Sequence, residues 1–217
     1  IFLINSAQKD STIFKNCNVF YVEKKKEFLV FKDLIDKFPI ELIVLDLKKY
    51  QKKYIEKLKH VLQKPIISFH EFSDYSAYSN ICINYNFCNE NDIITKNVLI
   101  GTKYFILNKQ IDEFKMKKKE DYIFAFFGGS DPNNLTELFI KNIVMKIPTK
   151  NFLIKVGSLA RFNQSDWKMK NLKFADDSQE IYEYMLNSQL CVLSGGNIMY
   201  ESIYLNKTTF VISQNYH

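Results

Sequence analysis

The stretch YIFAFFGGSDPNNLT, residues 122–136, decides the fold class. Its first six residues carry no charge, and the pair Gly128-Gly129 follows them directly, ahead of a segment of helical period. A short apolar run of this kind is typical of a strand that is buried on both faces of a parallel sheet. A glycine turn after such a strand, with a helix next, is typical of α/β folds. The same order recurs over residues 190–205.

Short apolar runs alternate with longer segments of helical period along the rest of the chain. In the segment 50–63 the apolar residues recur three to four positions apart, which predicts a helix with one buried face. We therefore expect an α/β fold with doubly wound parallel sheets. The predicted strands are 1–4, 19–22, 42–45, 66–69, 81–84, 122–127, 152–156, 190–193 and 209–212. The predicted helices are 27–37, 50–63, 135–145, 179–187 and 198–205.

The segment 108–121, NKQIDEFKMKKKED, interrupts this alternation and divides the chain into halves of similar size. Runs of like charge usually lie in water, so we interpret residues 111–121 as a solvated, lysine-rich connector. The alternative is that the lysines of residues 115–119 bind phosphate. Because the chain begins inside an apolar run and stops soon after another, we expect an incomplete first domain and a truncated second one. The predicted domains are 1–110 and 122–217.

The composition excludes several functional classes. With 47% hydrophobic and 25% charged residues, the 217-residue chain is globular rather than disordered. No run approaches the roughly 18–20 apolar residues of a membrane span, so we expect no integral membrane segment. The net charge is +6, but Arg161 is the single arginine, and nucleic-acid sites depend on arginine for bidentate contacts. We therefore expect no nucleic-acid partner.

The four cysteines, Cys17, Cys82, Cys88 and Cys191, have neither CxxC spacing nor the spacing of a zinc site. Cys191 lies inside an apolar run and is interpreted as a small core residue. Free thiols indicate a reducing compartment, which predicts a cytoplasmic protein. The sequence contains no acidic cluster suited to a metal, so we expect neither a metal nor a cofactor.

Glycine usage is the sharpest local signal. Four of the six glycines form pairs at 128–129 and 195–196, each between a predicted strand and a predicted helix. Glycine lets a ligand approach the backbone closely, and the helix start behind it points unpaired N–H groups and a positive dipole at that ligand. Such loops bind phosphate. Gly157 and Ser158 follow another predicted strand in the same way, so we expect a nucleotide diphosphate site in the C-terminal half.

Each glycine loop can also be explained structurally, without a bound ligand. Asp131 and Pro132 are a suitable N-cap and N1 pair for the helix after the first glycine pair, so this loop is alternatively a well-formed turn. Glu201 lies about one turn into the helix after the second pair, where it could reach sugar hydroxyls or only favour the helix dipole. Neither loop matches GxGxxG or the P-loop pattern, which argues against dinucleotide binding and ATP hydrolysis.

Three runs of the chain, FGGSDPNNLT (127–136), IGTKYFIL (100–107) and SGGNIMYE (194–201), resemble the nucleotide-sugar hydrolases of pseudaminic acid biosynthesis. This is the UDP-2,4-diacetamido-2,4,6-trideoxy-β-L-altropyranose hydrolase family, related to the peptidoglycan glycosyltransferase that forms lipid II. The resemblance implies a GT-B architecture of two Rossmann-like domains. It also implies an enzyme of surface-glycan biosynthesis that hydrolyses a UDP-linked amino-deoxy sugar at its anomeric C–O bond, with UDP as the leaving group.

The resemblance further implies that UDP lies in the cleft between the domains, mostly on the C-terminal half. The loop that begins at Ser194 matches the family's diphosphate loop, and Glu201 matches the helix acid that contacts the ribose. The first glycine pair and Ser130 match the loop that faces the cleft. The candidate nucleotide-binding residues are Gly128, Gly129, Ser130, Gly157, Ser194, Gly195, Gly196, Asn197 and Glu201.

The chain departs from the family at the catalytic positions. The family carries a histidine proposed to activate water in a GxGHxxR-like motif, which is expected upstream of Ile1. His60, a surface residue by its sequence context, and the other two histidines do not replace it. Where the family often has Asp-His-Tyr, only Asp46 is retained, and we take it as a candidate residue on the substrate side. The family's Asn-Gln pair falls at Asn215 or His217.

Other functions remain open at this point. Glycosyl transfer to an alcohol would use the same UDP-sugar donor site. A catalytically inactive nucleotide-sugar binder would retain the glycine loops without the chemistry. An α/β domain whose glycine pairs are only turns would bind no nucleotide.

Overall fold

A computed structural model of the chain describes the secondary structure of residues 2–4, 17–23, 26–46, 52–69, 79–85, 97–115, 118–176 and 180–214. The chain divides into two compact units, Ile1–Phe105 and Ile106–His217. Every strand pair among the described residues is parallel. The α/β class with parallel sheets is therefore confirmed in both units.

The described residues of the first unit form a two-stranded sheet, a four-stranded sheet and two α-helices. The four strands β3 to β6 lie in the order of the chain. The strands are β1 (Phe2–Ile4), β2 (Val19–Tyr21), β3 (Ile43–Asp46), β4 (Ile66–Phe69), β5 (Ile81–Asn84) and β6 (Val98–Ile100). The helices are α1 (Glu27–Lys37) and α2 (Lys52–Leu62).

Helix α2 contributes one face to the core of the first unit, as its apolar spacing predicted. Ile55, Leu58 and Leu62 are all buried and pack with apolar residues of β3 and β4. Val61, another apolar residue of the segment 50–63, is 44% exposed. His60 is exposed on this helix, as its sequence context predicted.

The second unit contains a five-stranded sheet in the order β11-β10-β7-β8-β9. Its strands are β7 (Ile123–Phe126), β8 (Phe152–Lys155), β9 (Leu172–Phe174), β10 (Leu190–Ser194) and β11 (Thr209–Ile212). Its helices are α3 (Leu135–Phe139), α4 (Ile181–Asn187) and α5 (Asn197–Tyr204), and α3 continues as a π-helical turn, Ile140–Val144.

Both faces of this sheet are covered, which explains why its central strands are apolar throughout. Successive residues of β7, Phe124 and Ala125, belong to different hydrophobic clusters. The same alternation holds for Cys191 and Val192 in β10. Because neighbouring residues of a strand point to opposite faces, the two clusters lie on opposite sides of the sheet. Cys191 is fully buried, as expected of a small core residue.

The segment interpreted as a connector does not lie wholly in water. Ile111 is buried and Phe114 packs against the same cluster, so this part belongs to the core of the second unit. The division between the units falls earlier, between Phe105 and Ile106. The lysines Lys115, Lys118 and Lys119 are exposed, in agreement with the solvated part of the interpretation.

Two strands and one boundary were not predicted. Strands β6 and β9 are each three residues long and were missed, and α3 changes to π-helical geometry after five residues instead of continuing as one α-helix to residue 145. Within the described part of the chain, no helix has both the length and the apolar character needed to cross a bilayer. The described cysteines Cys17, Cys82 and Cys191 are free thiols.

Candidate functional site

The carboxyl edge of the second sheet has a topological switch point between β7 and β10. From the central strand β7 the chain moves outward through β8 and β9, then crosses back to β10 and β11 on the other side. Phe126 pairs with Leu193, so the two strands end side by side and release their loops at the same place. Open α/β sheets bind ligands at such a crevice. One glycine pair follows each of these two strands: residues 128–129 come after β7, and residues 195–196 come after β10.

The first loop lies close to the end of β10. Gly128 has a φ of 88°, in the left-handed region that favours glycine, and a Cβ at this position would lie 3.5 Å from Ser194 Oγ. Gly129 and Ser130 are exposed, and a Cβ at Gly129 would meet no atom within 4 Å. This loop therefore presents open backbone at the switch point.

The prediction that Asp131 and Pro132 are the N-cap and N1 residues of α3 is wrong, because a turn comes between them and the helix. The Asn134 N–H donates to the Asp131 carbonyl, and α3 begins only at Leu135. Asp131 is nevertheless the capping side chain. Its Oδ1 and Oδ2 accept from the N–H groups of Leu135 and Thr136 at 2.8 and 2.9 Å.

This cap changes the expected chemistry of the first loop. The Asp131 carboxylate is buried and occupies the donors that a phosphate would need at the start of α3. It also places a negative charge there, which repels an anion. The first glycine loop can thus offer a ligand its own backbone but not a free helix N-terminus.

The second loop has the free helix N-terminus that the first one lacks. Helix α5 begins at Asn197, its N-cap residue is Gly196, and no side chain caps it. Gly196 has a φ of 123°, and a Cβ at Gly195 or Gly196 would meet no atom within 4 Å. Gly195, Gly196 and Asn197 are exposed, whereas Ser194 is buried at the end of β10. The positive end of the α5 dipole faces open space here.

Gly157 lies against the first loop rather than in open space. A Cβ at Gly157 would lie 2.3 Å from the carbonyl oxygens of both Gly128 and Gly129. The Leu159 N–H donates to the Gly129 carbonyl at 2.9 Å, which holds the two loops together. Gly157 therefore shapes the first loop by allowing close backbone contact.

Glu201 is half-buried in the second turn of α5, and one of its oxygens has a fixed partner. The Tyr182 hydroxyl, on α4, donates to Glu201 Oε1 at 3.0 Å. Burial raises the pKa of Glu201, while this hydrogen bond lowers it in part. Among the described residues no donor reaches Oε2. The carboxylate thus retains acceptor capacity for a ligand hydroxyl.

Gln214 is a residue of this edge that sequence reasoning missed. It follows β11, and its Nε2 donates to the Phe127 carbonyl in the first loop. Its Oε1 is buried and has no hydrogen-bond partner in the described part of the chain. The available signal was its position directly after a predicted strand. The family resemblance points instead to Asn215 or His217, which lie outside the described residues.

Asp46 belongs to the first unit and is described there by itself. It is the last residue of β3 and is exposed at the carboxyl edge of the four-stranded sheet. Tyr85 lies just after β5. Its pKa is raised, first by burial and second by the charge of the nearby Asp46. The Tyr85 ring packs edge-to-face on Phe105 with centroids 5.0 Å apart. His70 lies outside the described residues.

Two curated proteins are similar to the chain in sequence, whereas no family model matches it. An uncharacterized protein of Methanocaldococcus jannaschii is 29% identical over 133 residues, 53% of this chain and 27% of that protein. The spore coat polysaccharide biosynthesis protein SpsG of Bacillus subtilis is 24% identical over 193 residues, 82% of this chain and 57% of SpsG. The chain thus spans about a quarter of the length of the Methanocaldococcus jannaschii protein and somewhat over half the length of SpsG.

Among solved structures, UDP-N-acetylglucosamine 2-epimerase from Rickettsia bellii matches the chain with a TM-score of 0.53. The match covers 90% of this chain and 64% of the epimerase, at 12% identity. The fold is GT-B-like. The expected class of two Rossmann-like, parallel-sheet domains is therefore confirmed, and at this identity the likeness concerns the fold alone.

Proposed function

We propose that this chain is part of a nucleotide-sugar enzyme of surface-glycan biosynthesis and that it binds UDP at the carboxyl edge of its second sheet. The observation that carries the proposal is the switch point between β7 and β10, where the uncapped start of α5 meets two open glycine loops. The relatives support the glycan context, since SpsG is named for polysaccharide biosynthesis and the epimerase for a UDP-sugar.

The proposed pose follows from the charges at the two helix starts. The diphosphate lies on residues 194–197, because the N-terminus of α5 offers free N–H groups and the positive end of a dipole. It does not sit on the start of α3, where Asp131 already holds the donors. The ribose lies over Glu201, whose Oε2 accepts from a ribose hydroxyl. Gly128, Gly129 and Ser130 flank the ligand with open backbone.

The proposed reaction is hydrolysis of a UDP-linked amino-deoxy sugar. Water attacks the anomeric carbon, the C–O bond between that carbon and the diphosphate breaks, and UDP leaves with the bonding electron pair. The sugar gains the hydroxyl, and the second proton of the water passes to solvent. The negative charge that develops on the leaving diphosphate is stabilised by the N–H groups and dipole of α5, which are fixed before the reaction begins. Asp46 is proposed on the substrate side.

Charge reversal at Gly195 tests the binding site. A side chain at Gly195 extends into open space without a left-handed φ, so Gly195→Asp should fold normally. A carboxylate about 6 Å from a phosphate costs about 2.8 kcal/mol at an effective dielectric constant of about 20, or about a hundredfold in affinity. We expect this loss of UDP binding by calorimetry for Gly195→Asp and a much smaller one for the neutral isostere Gly195→Asn.

The matched variant for the other loop is Gly129→Asp, which is equally exposed and unstrained. We expect it to weaken UDP less than Gly195→Asp does, because the proposed pose puts the diphosphate on α5. Equal UDP affinity in Gly195→Asp and the unchanged chain would contradict the proposed diphosphate position. No saturable UDP binding by the unchanged chain would overturn the nucleotide site itself.

Product analysis tests the reaction. The chain is incubated with a UDP-linked 2,4-diacetamido-2,4,6-trideoxy hexose in H₂¹⁸O, and the products are followed by NMR and mass spectrometry. Hydrolysis through the anomeric C–O bond releases UDP without ¹⁸O and free sugar with one ¹⁸O. Release of UDP only when an alcohol acceptor is added indicates glycosyl transfer instead, and unchanged substrate indicates an inactive binder.

A further inference from the structure

Tyr182 is a buried tyrosine whose hydroxyl is directed at Glu201. It lies in the first turn of α4, which leads into β10, so this end of the helix is at the carboxyl edge of the sheet. Its side chain is 5% exposed, and its hydroxyl donates to Glu201 Oε1 at 3.0 Å. The hydrogen bond joins α4 to α5 across 19 residues of sequence.

The surroundings of Tyr182 hold the ring in one place. The Phe114 ring packs on it with centroids 5.3 Å apart, and both belong to the same hydrophobic cluster. The Asn108 side chain lies close enough to the Tyr182 hydroxyl to lower the Tyr182 pKa in part, and its own Oδ1 accepts from the Gln110 N–H at 3.0 Å. A ring fixed by packing, with its hydroxyl bonded to Glu201, has a defined direction for its one proton.

We infer that Tyr182 is a positioning residue, which fixes the Glu201 carboxylate so that Oε2 points at the ribose of a bound nucleotide. This inference rests on the proposed function, since it requires a ribonucleotide at the site. An unpartnered glutamate side chain rotates among several rotamers, and ordering it on binding reduces affinity. Tyr182 removes that loss by holding one oxygen in advance.

The protonation states of Tyr182 and Glu201 support these roles, with Tyr182 as the donor and Glu201 as the acceptor. Burial and the hydrogen bond to Glu201 raise the pKa of Tyr182 to about 12, so the hydroxyl keeps its proton and donates at neutral pH. The bond in turn favours the ionised form of Glu201 against the effect of burial. An ionised carboxylate is an acceptor at both oxygens, which is what a ribose hydroxyl requires.

The test compares two ligands that differ only in the ribose hydroxyls. UDP and 2′,3′-dideoxy-UDP are titrated into the unchanged chain, Tyr182→Phe and the control Tyr184→Phe. Tyr184 lies on the same helix, but its hydroxyl donates to Asp176 Oδ1 at 3.1 Å. We expect Tyr182→Phe to weaken UDP about tenfold and leave dideoxy-UDP unchanged, and Tyr184→Phe to change neither.

The double variant Tyr182→Phe/Glu201→Gln tests whether Tyr182 acts through Glu201. In the Glu201→Gln background, Tyr182→Phe should have little further effect on UDP, because the group that it positions is already lost. Equal weakening of both ligands by Tyr182→Phe, or no weakening of UDP, overturns the positioning role and leaves the nucleotide site standing. Absence of UDP binding by the unchanged chain overturns the site and the inference together.

Discussion

The contact between Gly157 and the first glycine loop leads to a quantitative prediction for Gly157→Ala. The added Cβ would lie 2.3 Å from two carbonyl oxygens, at least 0.7 Å inside the 3.0 Å that Cβ contacts keep. Both oxygens belong to the backbone, so no change of rotamer relieves the clash. One or both loops must move, and we expect a loss of about 2–3 kcal/mol in the free energy of unfolding.

The chain provides its own probe for this measurement. Trp167, the single tryptophan, stacks on Phe162 and packs against the core of the second unit. Its fluorescence during urea unfolding therefore reports on the unit that carries Gly157. With a slope of about 2 kcal/mol per molar urea, the expected loss lowers the unfolding midpoint by about 1–1.5 M.

Gly129→Ala is the matched control, because it adds the same methyl group to the same pair of loops. A Cβ at Gly129 meets no atom within 4 Å, and the residue has no left-handed φ. Such a substitution leaves stability unchanged or raises it by about 0.4–1 kcal/mol through the unfolded chain. Equal midpoints for Gly157→Ala and Gly129→Ala would refute the argument that Gly157 is required by close backbone contact.

Two further predictions concern carboxylates at the same edge. Asp131→Ala removes both hydrogen bonds to the start of α3 and should lower the free energy of unfolding by about 1–2 kcal/mol in the same assay. Because the folded pKa of Glu201 is raised, the folded state binds its proton more tightly, and the contribution of this group to the stability of the unchanged chain falls as pH rises from about 4.5 through that raised value. Glu201→Gln lacks this loss, so its stability advantage should grow between pH 4 and pH 7, and a constant difference would contradict the burial of this carboxylate.

Much of the fold could be predicted because its central strands have a strong local signal. β7 and β10 are buried on both faces, so their apolar runs are continuous and end at glycine pairs. β1 and β2 are equally short but lie in apolar runs of four residues, whereas the apolar run of β6 has only three and Lys173 interrupts β9, so β6 and β9 escaped prediction. Such strands are defined by pairing with a neighbour rather than by their own composition.

The candidate site could be predicted only where its residues are close together in sequence. The glycine pairs and Glu201 belong to it because loop and helix are adjacent in sequence, and their role in binding stays a prediction. Tyr182 was not predicted, because its partner lies 19 residues away on another helix. Gly157 was interpreted as open to a ligand, and its contact with the carbonyls of residues 128 and 129 arises only from the pairing of β7 with β8.

The helices that follow the two glycine pairs, α3 and α5, differ in how their first donors are satisfied. At α3 the Asp131 carboxylate caps them, with left-handed φ angles of 39° at Asp131 and 54° at Asn134. Helix α5 starts at an exposed glycine with no side-chain cap and carries a half-buried acid in its second turn. Both features reduce stability when no ligand is bound. An anion at the start of α5 and a hydroxyl on Glu201 would satisfy them together, which is why we place the diphosphate and the ribose on this helix.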